Sequence, residues 1–107
     1  MIVVTTAEIS GKRIVRTLGL VRGNTIRARH LGKDIVAILR NVAGGEIHEY
    51  TKMLAEAREQ AIDRLVEDAE ALGANAVIGM RFESTMIQSG AAEMLCYGTG
   101  VIVEPDE

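Results

Sequence analysis

The chain has 107 residues, of which 48% are hydrophobic and only 3% aromatic, with a single cysteine and a net charge of −3. That length fits one domain, residues 1–107, whose core is thin and built from aliphatic side chains and methionine. One cysteine excludes an internal disulfide, no apolar run approaches the roughly 18 residues of a membrane span, and the opening MIVVTTAEIS lacks a signal peptide's basic and long apolar regions, so a cytoplasmic protein is expected.

Residues 2–5 (IVVT) read as a short strand, and KRIVRTLGLVRG (12–23) as a longer one with apolar residues on both faces. Gly23 and Asn24 punctuate it, and TIRARH reads as a separate short extended piece. From Asp34 the period changes, with Ile35, Ile38, Leu39 and Val42 at i, i+3, i+4 and i+7, which predicts a short amphipathic helix. Gly44 and Gly45 break that pattern, and a long helix starts near Glu46. Steps of 100° gather Ile47, Tyr50, Leu54, Ala61, Ile62, Leu65, Ala69 and Leu72 on one face of it. Glu49, Lys52, Glu56, Glu59, Asp63, Glu67 and Glu70 fall on the opposite face. Gly73 fits a helix C-terminal cap.

Beyond the helix, NAVIGMRFES (75–84) alternates as a strand, with Ala76, Ile78, Met80 and Phe82 assigned to one side. Gln88, Ser89 and Gly90 supply a turn, and EMLCYGTGVIVE (93–104) returns as a second strand with Met94, Cys96, Gly98, Gly100 and Ile102 on one face. The expected architecture is therefore α+β, an antiparallel sheet packed against one long helix plus a shorter one.

Charge is unevenly distributed. Residues 1–45 carry eight Lys or Arg against two acidic residues, and residues 46–107 carry four against thirteen. A basic half without aromatic stacking partners argues against nucleic acid and for complementary surfaces that meet within or between chains.

The string GGEIHEYTKMLAEAREQAIDRLVEDAEALGANAVIGMRFES, followed by a glycine-containing turn and CYGTGVIV, resembles the YbjQ-type family of small bacterial and archaeal proteins. The upstream TLGLVRGNTI extends the likeness over nearly the whole chain. The resemblance implies a dodecin-like subunit assembled with itself as a ring-shaped homopentamer, and a family labelled heavy-metal-binding with no established reaction. A soft or transition metal ion is the one cofactor it brings into question. The competing class is a structural or small-ligand-binding homo-oligomer without metal.

Positions i and i+2 of a strand point the same way, so Met94 and Cys96 present a thioether and a thiol side by side. Such donors suit soft cations, yet a good soft site wants more than one thiolate, and both residue types are also common core packing. A ring could gather five thiols if Cys96 lay near its axis, and none if it lay under the helix. His48, at the start of the long helix, is a further candidate ligand; His30 sits among Arg27, Arg29 and Lys33, where a cation is repelled. Arg58 falls on the apolar helix face, where it either snorkels to water or pairs with a carboxylate such as Glu83 or Glu93, within the subunit or across an interface. Glu59, Asp63 and Glu67 recur at i+4. They are a solvated stripe, a hard-cation site, or a contact for the basic half of a neighbouring subunit.

Enzyme signals are weak. No serine lies in a nucleophile-elbow pattern, and Gly98-Thr99-Gly100 precedes a strand-like VIV rather than a helix, so it is not a phosphate loop. Those glycines suit close backbone approach instead. The reading leans away from catalysis.

Overall fold

The computed structural model describes residues 1–28, 48–88 and 91–106, with side chains over 1–26, 52–86 and 92–106. In chain order these form β1 (Ile2–Val3), β2 (Lys12–Ala28), α1 (His48–Leu72), β3 (Ala76–Gln88) and β4 (Ala91–Pro105). The sheet order is β1-β3-β4-β2. The expected short helix from Asp34 lies outside the described residues, as do Ser89 and Gly90 of the expected turn.

The sheet is mixed rather than antiparallel. β4 pairs antiparallel with both β2 and β3, but β1 runs parallel to β3, with Ile2 opposite Ala76 and Val3 opposite Val77. β1 is also shorter than expected. Beyond Val3 the chain stays bonded to β3 irregularly, Val4 N–H donating to Val77 O, Met80 N–H to Val4 O and Gly79 N–H to Thr6 O.

α1 lies on one face of the sheet, over β2 and β4, with Ala57, Ala61, Leu65 and Ala69 fully buried. This i, i+4 stripe of mostly alanine lets the helix approach the sheet closely, and the closest approach falls at Gly23. A Cβ there would collide with the backbone of Ala61, Arg64 and Leu65. Gly23 is therefore not a strand terminator. β2 runs straight through Gly23 and Asn24, which pair with Cys96 and Leu95, because glycine at that point gives the helix room. Two buried residues flank it, Val21 in the core and Thr25, whose hydroxyl donates to Ala57 O at 3.1 Å.

α1 ends as its sequence predicts. Gly73 N–H donates to Glu70 O and Ala74 N–H to Ala69 O, the paired bonds of a Schellman cap, with Gly73 at φ +91°. Asn75 then bonds both backbone groups of Val103, its Nδ2 donating to the carbonyl at 3.0 Å and its Oδ1 accepting from the amide at 2.8 Å.

The core has two parts. Val21, Ala61, Leu65, Ala69, Ala74, Val77 and Cys96 pack between α1 and the sheet. Ala76, Val101 and Val103 pack on the other face, with Ile9 and Ile78 against them. β3 contributes to both because it is bulged. Between Ile78 and Arg81 it spends one residue more than β4 does between Thr99 and Tyr97, with Gly79 at φ +63°. Alternation therefore does not carry Ala76, Ile78, Met80 and Phe82 onto one side as expected. Ala76 and Ile78 face away from the helix, while Met80 packs toward the helix-side core and Phe82, opposite Cys96, shares its face.

Candidate functional site

Met94 and Cys96 do share one face of β4, and that face lies beneath α1. Met94 is 4% exposed and Cys96 0%. Cys96 sits between Gly23 on β2 and Phe82 on β3 in the sheet register. Burial pushes its thiol above the ordinary cysteine range, an effect a backbone hydrogen bond with Gly23 only partly opposes. At neutral pH the sulfur is a protonated thiol packed among aliphatic side chains. The backbone of His48 opens α1, but its side chain and all of His30 lie outside the described residues.

Arg58 is exposed, not central to the buried face. The buried stripe runs through Ala57 and Ala61, and Arg58 stands a quarter turn to its side. Glu83 and Glu93 cannot meet it within the subunit, because both lie on the sheet face away from α1. There Tyr97 OH donates to Glu83 Oε1 at 3.4 Å and Asn24 Nδ2 to Glu93 Oε2 at 3.2 Å. Among the described residues the ion pair formed is Arg13 with Glu104, at 3.0 Å and largely exposed. Glu59, Asp63 and Glu67 are all exposed along the outer side of α1.

Two helix side chains do structural work at the sheet edge. Asp68 Oδ2 accepts from Arg22 N–H at 2.9 Å, and Arg64 Nη1 donates to Asn24 O at 2.7 Å. They occupy outward-pointing backbone groups of β2 that would otherwise face solvent.

Periodicity did not reveal a groove beside α1. Arg64 and Asp68 turn toward β2, so the i+4 row on the opposite flank of the helix, half-buried Leu54, Ile62 and Val66 with exposed Arg58 among them, turns toward β3. Along β3 Phe82 is 37% exposed and Met86 59%, both on the helix side of the sheet, opposite Cys96 and Ala92. The bulge at Gly79 brings Phe82 to this face. A positive-φ glycine inside a strand-like run was the available signal.

Fold and side chains together define a small two-layer α+β protein whose notable chemistry is one buried sulfur pair and an apolar groove. The chain belongs to the YbjQ family: a family model described as "Putative heavy-metal-binding" matches residues 1–104. It is 60% identical over 101 residues to a UPF0145 protein of Methanosarcina acetivorans, covering 94% of this chain and 95% of that one. It is 58% identical to a UPF0145 protein of Clostridioides difficile, covering 99% of this chain and 95% of the relative. A crystal structure of a protein of unknown function from the DUF74 family of Pediococcus pentosaceus shares the fold at TM-score 0.65 and 15% identity, covering 97% of this chain and 98% of that one.

The family description raises a heavy metal, and the sulfur pair does not fit one. A good soft-cation site wants more than one thiolate, whereas Cys96 is a single thiol buried beneath α1 and Met94 adds only a neutral thioether. Among the described residues no three His, Cys, Asp or Glu side chains come together as a ligand set.

Proposed function

We propose that this chain is the subunit of a cytoplasmic, non-enzymatic homo-oligomer, a dodecin-like pentameric ring that carries no resident metal at Met94 and Cys96. The observation that carries the reading is how much surface the isolated chain leaves uncovered. Its radius of gyration is 17.3 Å, with extents of 57 × 25 × 15 Å. A compact domain of this length has a radius of gyration near 13 Å. Its accessible surface is 6932 Å², against about 5,800 Å² for a typical monomeric protein of its mass. The excess is of the order a subunit gives up in a stable interface. It includes side chains such as Ile14, Val15, Leu20, Ile26, Phe82 and Met86.

Charge supports the same reading. The exposed stripe of Glu59, Asp63 and Glu67, with Arg58 beside it, offers a surface to the basic first half of a neighbour. No described helix is long and apolar enough to cross a membrane, which agrees with assembly in water. Native mass spectrometry of untagged protein purified without chelator tests both parts. A pentamer of bare subunit mass is expected, still bare after incubation with Cu(I), Zn(II) or Ni(II). A monomer would overturn the assembly. A bound metal lost in Cys96→Ser would overturn the metal-free part.

A further inference from the structure

We propose that the groove between α1 and β3 receives the first half of β2, residues 12–20, from a second copy of this chain. This rests on the homo-oligomer reading and names its contact.

The groove is apolar at its base, with carboxylates on the outer side of the helix above it. Phe82 and Met86 of β3 form the floor, and Leu54, Ile62 and Val66 of α1 form the wall, with the exposed Arg58 in the same i+4 row between Leu54 and Ile62. On the outer side of the helix, half a turn from the buried stripe, stand Glu59 and Asp63, while Glu67 lines a cleft on the β2 side with Arg22, Arg64 and Asp68. Next to the floor, β3 is itself an incomplete edge. β1 pairs with Ala76 and Val77 only, so from Phe82 to Met86 the outer margin has no strand partner among the described residues. An occupant that suits this place is extended and apolar, with basic side chains only where they clear Arg58 and reach Glu59 and Asp63 on the helix's outer side.

The first half of β2 has those properties. Among the described residues it is an edge strand, paired with β4 on its inner side alone. Among the described residues, Asp68 and Arg64 block its outer side at Arg22 and Asn24. Over residues 12–20 Ile14 is 39% exposed, Val15 44% and Leu20 66%, and they are interleaved with exposed Arg16. Apolar side chains would enter the groove while Arg16 meets Glu59 and Asp63. Because β2 and β3 lie toward opposite margins of the sheet, the contact joins two different surfaces. Such head-to-tail contacts repeat from copy to copy and close into rings.

The head-to-tail character gives a direct test by mixing. Phe82→Asp spoils the groove and leaves the strand; Leu20→Asp with Arg16→Glu spoils the strand and leaves the groove. Each protein alone should be monomeric by analytical ultracentrifugation with its circular dichroism retained. An equimolar mixture should form a one-to-one heterodimer, since one intact strand meets one intact groove. Should an aspartate at either apolar position prevent folding, Arg16→Glu and Asp63→Arg test the contact at exposed charged positions: each alone sets like charges face to face and should assemble more slowly than the unmodified chain, and the mixture, which restores opposite charges at both contacts, should recover the rate. If the unmodified chain is monomeric, the oligomer reading fails and this contact with it. If it is oligomeric and indifferent to both sets of variants, or if folded monomeric variants do not pair on mixing, only the groove assignment is overturned.

Discussion

At the residue scale the sharpest constraints are Gly23 and Cys96, which face each other across β2 and β4. Gly23 lies where α1 comes closest to the sheet, and any Cβ there meets helix backbone rather than a side chain that could swing away. Gly23→Ala must therefore displace the helix, and we expect it to cost about 3 kcal/mol or more, at the upper end of core overpacking. Urea unfolding checks this, and a loss of a few tenths would mean the helix shifts freely. Cys96 makes a prediction about pH. Its folded pKa is raised by burial, so the folded thiol holds its proton where the unfolded one has released it. Unfolding is then favoured as pH rises above the unfolded thiol's range, near 8.5. Stability should be full below that range and fall through alkaline pH, and in Cys96→Ala this component should vanish. Native Cys96 should also resist iodoacetamide until the chain is unfolded.

At the element scale α1 is what makes the sheet a domain, since its buried stripe supplies three of the seven buried residues of one core, Ala61, Leu65 and Ala69. Leu65 is the largest fully buried side chain, and Leu65→Ala should cost about 2–5 kcal/mol by chemical denaturation. The helix was legible in the sequence because its apolar period of 3.6 persists over seven turns and ends on Gly73. Strand features were less so. Gly23-Asn24 reads locally as a turn, and only the crossing helix explains why a strand needs glycine there. The bulge between Ile78 and Arg81 reverses which β3 residues face the helix, and a period of two has no means of showing that in advance. The sulfur pair illustrates the same division. That Met94 and Cys96 share a face follows from strand geometry, but which face α1 covers is a tertiary fact. Arg58 was misplaced because the buried stripe is narrower than the apolar face drawn on the wheel, centred on small alanines rather than on Leu54 and Ile62.

At the scale of the whole molecule, a thin, elongated subunit carries a basic early strand and an acidic helix exterior on two separate surfaces. The exposed groups that would meet across copies, Arg16 on one side and Glu59 and Asp63 on the other, lie at the rim of the proposed contact, not in its apolar floor. Rim charges act mainly on association rate and are screened over about 8 Å at physiological ionic strength. Raising salt from about 0.05 M to 0.5 M should therefore slow reassembly of a diluted sample several-fold, while apolar burial by Phe82 and Met86 holds dissociation nearly unchanged. Subunit exchange between differently labelled copies, followed by fluorescence transfer, separates the two rates. A dissociation rate that climbs steeply with salt would place the charges at the centre of the interface instead, and Asp63→Asn would then be as damaging to assembly as Phe82→Asp.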